Sequence, residues 1–408
     1  MKIVNARIFT GGKFIKGLVE FNNRIVKIIP EEDLTVSEVN AFECENDGTK
    51  CTDENDKIVD AHGLMLIPGL IDIHTHGAVG VDVDNINDGD LLKLTSYYAQ
   101  NAVTSFCPTF ATTSVDRYED SSRKIADYIK SEKEAVGSSY SSMVSHPRAK
   151  IAGINLEGPF VSPNMLGSQN PAHQCNPDID ILMKINEASS GLVRLVTVAP
   201  ELNGADDFID KVSKLMTVSV GHTQADYDTV ARSFELGAKS VTHLFNRMKP
   251  INHREPGPIV AAALKGDVTA ELITDGHHVH PAMVQLAFKL LPGRICIVSD
   301  SLLCAGMPDG DYDFAGTKVT KTDGAIFIKD SDFLAGSSIS LIEGVKRAVK
   351  YGVSVEEAIT AATITPAKII RQDDEIGSID VGKKADFVLI DDDFDIKSVY
   401  IDGENEAK

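Results

Sequence analysis

Apolar and polar positions alternate along the first part of the chain in three runs: KIVNARIFT at 2–10, KFIKGLVEF at 13–21 and RIVKII at 24–29. Alternation with period two is the mark of half-buried strands, and Asn22-Asn23 supplies a hairpin turn between the second and third. Residues 31–60 break the pattern. Acidic side chains dominate there, and Asn46, Gly48 and Asn55 interrupt any periodicity, which predicts a solvated excursion within a β-region.

From Pro68 onward short apolar runs alternate with longer amphipathic stretches. Strand-like runs fall at 70–73, 103–106, 151–156, 193–198, 217–220, 240–242, 268–273 and 295–299. Helix-like stretches lie between most of them, at 88–101, 116–136, 179–188, 225–236 and 281–291. Strands alternating with helices in this way predict an α/β fold, a (β/α)8 barrel of the TIM type. A serine-rich stretch at 137–148 reads as a surface loop. Beyond it, 307–328 reads as strands turned at Asp323-Gly324, followed by helices at 340–351 and 355–363. Short strands return at 376–393 and 397–403, so both termini are expected to join in one small β-sandwich domain. The expected division is 1–66 and 369–408 for that domain and 67–368 for the barrel.

Composition narrows the classes of function. A chain of 408 residues with 43% hydrophobic and 25% charged residues suits a globular barrel with an appended domain. The formal charge of −20 argues against nucleic acid or an anionic membrane as partner, while leaving room for a small anionic substrate. There is no stretch long enough to span a bilayer and no basic-then-apolar leader at Met1. Cys44, Cys51, Cys107, Cys175, Cys296 and Cys304 show no CxxC spacing, so reduced thiols in the cytoplasm are expected, with Cys44 and Cys51 close enough to pair under oxidation.

The chemistry enters at GLIDIHTHG, residues 69–77, where an apolar run ends in His74 and His76. Side chains at i and i+2 of a strand share a face, so both imidazoles can reach one ion. Any one such histidine would read as an ordinary core or loop residue. Here, however, Glu157, His222, His243, His278 and Asp300 also follow apolar runs, and a barrel gathers strand ends at one mouth. Glu157, His222 and His243 supply three N and O donors and leave a position for water, the open pattern of a catalytic metal site, with His74 and His76 beside it. Such donors suit zinc, iron or manganese. A bound ion lowers the pKa of its water from about 15.7 to roughly 7. Asp300 is placed to act as general base and then acid, and His278 to polarise a carbonyl.

These residues stand in an ordered set of motifs. They are HTHG at 74–77, LEGPF at 156–160, GHT at 221–223, THLFNRM at 242–248, HREPG at 253–257, DGHHV at 275–279, SDS at 299–301 and LAGSS at 334–338. The set resembles the N-acetylglucosamine-6-phosphate deacetylase family of the amidohydrolase superfamily, from about residue 3 to 403. The resemblance implies a metal-dependent hydrolase of amino-sugar catabolism that converts N-acetylglucosamine 6-phosphate to glucosamine 6-phosphate and acetate. It implies Zn or Fe, in one or two ions, at Glu157, His222 and His243, with His74 and His76 for a second. It implies Asp300 as acid/base and substrate contacts from Ser168, Gln169, Asn246, Arg247, Arg254, His278, Leu334, Ala335 and Gly336. In the family the arginine matching Arg254 reaches the neighbouring subunit's site, which implies a homodimer.

Strand four ends in VTVAP, without the lysine that many two-metal amidohydrolases carboxylate, which counts against a dihydroorotase or hydantoinase. Three departures from the family pattern stand out: Gln169 for a common histidine, Arg247 for a small residue and Ser301 for alanine. Two other readings remain at this stage, an amidohydrolase for another acetamido-sugar phosphate or a nucleobase, and an idle sugar-phosphate sensor. A sensor would need neither the open metal site nor Asp300.

Overall fold

The computed structural model describes residues 1–34, 57–136 and 148–405. Residues 35–56, with Cys44 and Cys51, and 137–147 of the serine-rich stretch lie outside the described residues.

Eight parallel strands form the barrel: β1 (Leu70–Thr75), β2 (Val103–Phe110), β3 (Ile154–Leu156), β4 (Val193–Val198), β5 (Thr217–Val220), β6 (Ser240–Val241), β7 (Thr269–Ile273) and β8 (Ile295–Val298). Each pairs in parallel with the next, in chain order. Closure of β8 onto β1 comes from the residues just past their apolar runs. Asp300 N donates to His74 O at 2.8 Å and His76 N to Ser301 O at 2.8 Å. The barrel is therefore sealed at the site itself.

A helix follows each strand: α1 (Asp90–Gln100), α2 (Val115–Val136), α3 (Ile179–Ala188), α4 (Ala205–Val212), α5 (Tyr227–Glu235), α6 (Gly257–Leu264), α7 (Pro281–Leu290) and, after an intervening sheet, α8 (Leu341–Lys350). Several begin on side-chain caps. Asp178 accepts from Asp180 N and Ile181 N at the start of α3, and Asp226 from Thr229 N at α5. Two further helices, α9 (Val355–Ala361) and α10 (Ile364–Ile369), complete the wall. Thr217, the first residue of β5, donates to Ile369 O at 2.6 Å, which seats α10 against the barrel. Among the described residues no helix is long and apolar enough to cross a membrane.

Between β8 and α8 an antiparallel four-stranded sheet (Gly310–Phe314, Thr317–Thr322, Ala325–Ile328, Leu334–Ser337) projects over the barrel mouth. The two termini meet in a separate eight-stranded sheet, in which Met65–Pro68 pairs with both Lys2–Thr10 and Phe387–Ile390. The small β-domain expected from both termini is present, built on one continuous sheet. Its two wings close over Phe21, Phe387 and Tyr400, with ring centroids 4.8 Å apart for Phe21–Phe387 and 5.7 Å for Phe21–Tyr400. The acidic excursion is also shorter than residues 31–60. Glu31–Asp33 forms a 3-10 turn, and Ile58–Asp60 pairs in parallel with Lys2–Val4 because its apolar residues extend the sheet. The chain passes from this sheet to β1 at Gly69, where a Cβ would lie 2.1 Å from Thr104 Oγ1, so glycine alone fits.

Candidate metal centre

The strand ends bring the carboxylates and imidazoles together. Glu157 Oε1 lies 3.0 Å from His222 Nε2 and 2.7 Å from His243 Nε2, and those two nitrogens are 3.0 Å apart. On the other side Glu157 Oε2 lies 3.1 Å from His76 Nε2, and Oε1 lies 3.4 Å from His74 Nε2. Asp300 Oδ1 faces the HxH pair, 3.4 Å from His76 Nε2 and 3.6 Å from His74 Nε2. Two overlapping donor sets result, Glu157–His222–His243 and His74–His76–Glu157, all buried. Glu157 is common to both.

The outer ring nitrogens show what the inner ones are for. His222 Nδ1 lies 2.7 Å from Met165 O, and His76 Nδ1 lies 2.9 Å from Thr109 O. A carbonyl only accepts, so both Nδ1 atoms carry the proton. In the neutral rings each Nε2 then points a lone pair at a Glu157 oxygen. Acceptor facing acceptor at 3.0–3.1 Å requires positive charge between them. At His222 burial lowers the imidazole pKa against the pull of Glu157, which disfavours a proton as that charge; at His76 burial is outweighed by Asp300 and Glu157, which raise it to about 10, so a proton is what a cation would replace there. The arrangement fits a divalent cation, and holding each ring by its far nitrogen is how metal ligands are oriented.

Burial opposes ionisation of Glu157 and Asp300, but neighbouring histidines win. His74 and His222 draw Glu157 well below the carboxylate range, and His74 and His76 lower Asp300. His278 sits apart from the ligands and is held at Nδ1 by Asp275 Oδ2, 2.8 Å away. Burial alone would depress His278; Asp275 more than offsets it and holds the imidazole above its usual value.

A cavity of about 370 Å³ opens onto this floor. Among the residues expected from the sequence, His76, Glu157, Ser168, Gln169, His222, His243, Asn246, Arg247, His278, Asp300, Leu334, Ala335 and Gly336 line it. His74 is fully buried behind them. Arg254 is not brought to this cavity: it is exposed, with Nη1 2.9 Å from His253 Nε2. The departures fall into place. Gln169 Nε2 donates to Glu157 Oε2 at 2.6 Å while its Oε1 accepts from Thr112 N, so it clamps the shared carboxylate. Ser301 Oγ donates to Gly77 O at 3.0 Å within the β8–β1 seam and is absent from the cavity lining.

Sequence reasoning missed other participants. Glu271, on β7, is fully buried with Oε2 2.8 Å from His74 Nδ1; its signal was a lone acid inside the apolar run TAELI. Asp275, in DGHHV, is a second such residue, and its role shows only in the fold, where it holds His278 Nδ1. Met165, Phe245, Met248, Leu302 and Phe314 form apolar parts of the wall and gave no signal, since nothing separates them from core residues in sequence. His222, His243 and Asp300 adopt φ values of 46°, 30° and 48°. These left-handed backbones turn the strand ends sharply and are strained for side chains bearing a Cβ, a cost that functional sites carry.

The amidohydrolase family matches residues 65–405. The chain belongs to that family. It is 30% identical over 401 residues to the N-acetylglucosamine-6-phosphate deacetylase of Vibrio furnissii, covering 98% of this chain and 94% of that protein. It is 32% identical over 342 residues to the N-acetylgalactosamine-6-phosphate deacetylase of Escherichia coli O157:H7, covering 83% and 87% respectively. Among solved structures, an N-acetyl-D-glucosamine-6-phosphate deacetylase variant of Mycobacterium smegmatis, in complex with N-acetyl-D-glucosamine-6-phosphate, superposes with a TM-score of 0.85. That match is 25% identical and covers 100% of this chain and 99% of the other. Amidohydrolase membership accounts for the barrel, the separate sheet from the termini and a divalent metal at the His/Glu groups.

Proposed function

We propose that this amidohydrolase removes acetate from N-acetylglucosamine 6-phosphate, releasing glucosamine 6-phosphate in the cytoplasm. The observation that carries the reading is the pair of overlapping donor sets around Glu157, set beside Asp300 at the floor of one cavity. Glu157, His222 and His243 would hold the principal ion, and His74 and His76 with Glu157 a second. Zinc or iron suits these donors. When bound, such an ion supplies Lewis-acid polarisation and water at a lowered pKa.

The chain's own groups do the rest. Asp300, kept ionised by His74 and His76, takes a proton from the attacking water and delivers it to the amide nitrogen as the C–N bond breaks. His278, fixed through Nδ1 by Asp275, donates to the carbonyl oxygen as negative charge builds there. Gln169 keeps Glu157 oriented. Phe314, Leu302 and Met248 give the lining apolar surface that excludes bulk water. In the homodimer this reading implies, Arg254 serves the partner's cavity.

A second reading, the galacto epimer, is favoured by the similarity to the Escherichia coli enzyme. Acetate release from N-acetylglucosamine 6-phosphate, N-acetylgalactosamine 6-phosphate and their unphosphorylated parents decides between them. The glucosamine phosphate is expected to give the highest kcat/KM. A higher value for the galacto epimer would reassign the sugar, and no release from any metal-loaded sample would end the hydrolase reading.

A further inference from the structure

We infer that Arg247 is the cation with which this chain reads a phosphate inside its own cavity, an assignment that rests on the sugar-phosphate reading and deepens it. Arg247 is the one lysine or arginine among the residues lining the cavity. Glu157 and Asp300, which line it too, are anions, so a phosphate finds its permanent positive partner here. The side chain is half-buried, yet its guanidinium makes no hydrogen bond or ion pair with the described residues. Burial depresses its pKa with no carboxylate to offset the loss. Five donors left half-dehydrated and unpaired are costly unless a ligand rich in acceptors completes them.

The group is also held ready. Its backbone takes a φ of 49°, and its carbonyl accepts from Thr223 N at 3.0 Å. The guanidinium carbon lies 5.5 Å from the centroid of Phe333, a ring that is 63% exposed. Gly167 meets it as well, so closely that a Cβ there would lie 2.7 Å from Arg247 Nε. Stacking against a ring fixes the plane of a guanidinium and suits it to two parallel bonds with one phosphate. An aromatic ring left largely exposed beside the cavity gains a purpose as that support. Arg254, exposed and outside the cavity, cannot supply this contact within one chain.

The test uses the metal-loaded protein and two readouts. In acetate release, Arg247→Ala is expected to lose about ten- to a hundredfold more kcat/KM on the phosphorylated sugar than on its unphosphorylated parent. Arg247→Lys is expected to recover part of that difference, since an ammonium keeps the charge without the fork. By calorimetry, binding of glucose 6-phosphate, which has no acetamide to hydrolyse, is expected to weaken in Arg247→Ala by a similar factor. Phe333→Ala, which removes only an exposed ring, is expected to weaken it several-fold. Equal losses on both substrates, or unchanged glucose 6-phosphate binding, would overturn the assignment. A parent that binds glucose 6-phosphate through Arg247 but releases no acetate would instead overturn the hydrolase reading alone.

Discussion

Asp300 and Glu157 share one buried floor but different neighbours, and this divides their duties. Glu157 is hemmed in by four imidazoles and clamped by Gln169, whereas Asp300 faces the HxH pair and the open cavity. Asp300→Asn is therefore expected to keep its metal and lose about 10²–10⁴-fold in turnover. Metal analysis and acetate release on one sample check both halves, and near-normal turnover would remove Asp300 from the proton transfers. His278 gives a pH test with a definite sign. Asp275 holds its imidazole above the usual value, so the donor persists as pH rises past that value and is lost at the raised one. In Asp275→Asn the alkaline limb of kcat/KM should move to lower pH; an unmoved limb would detach His278 from the reaction. The donors of the candidate metal centre were legible in sequence because each interrupts or ends an apolar run. Gln169 and Glu271 were harder to read, because what matters about them is which atom of a distant residue they hold.

At the level of elements, the strands were legible because barrel strands buried on both faces read as apolar runs, and 193–198 and 217–220 match β4 and β5 to the residue. Helices with one wet face were equally plain. The helix α6, GPIVAAAL, was not: five of its eight residues are buried, and a helix without a polar stripe has no period to detect. The helix α4 gives little signal because it is only eight residues long and starts behind a glycine cap. The sheet joining the termini was expected, but its closure on three rings from sequence-distant strands was not, since alternation fixes which face is buried and not what faces it. Phe387→Ala removes the ring that touches both Phe21 and Tyr400 and should cost about 3–5 kcal/mol. Denaturant unfolding followed by circular dichroism measures this, the chain having no tryptophan. A cost below about 1 kcal/mol would mean the wings do not rely on that cluster.

Across the whole molecule, the same few residues close the barrel and build the site. His74, His76, Asp300 and Ser301 make the main-chain seam between β8 and β1, while the first three turn their side chains to the centre. The barrel seam and the candidate metal centre thus share residues, and the antiparallel sheet after β8 hangs its Leu334–Ser337 strand from the same seam through Leu302 N and Ser337 N. This sharing was invisible in the sequence, where the four residues lie more than two hundred positions apart in two groups. The central claim is that Glu157, His222 and His243 hold an ion on which amide hydrolysis depends. The most direct measurement follows metal content and acetate release from N-acetylglucosamine 6-phosphate together, through chelation and restoration with zinc or iron, in the parent and in His222→Ala. The parent should lose and regain both in step, and the variant should regain neither. Undiminished acetate release from metal-free protein would contradict the account.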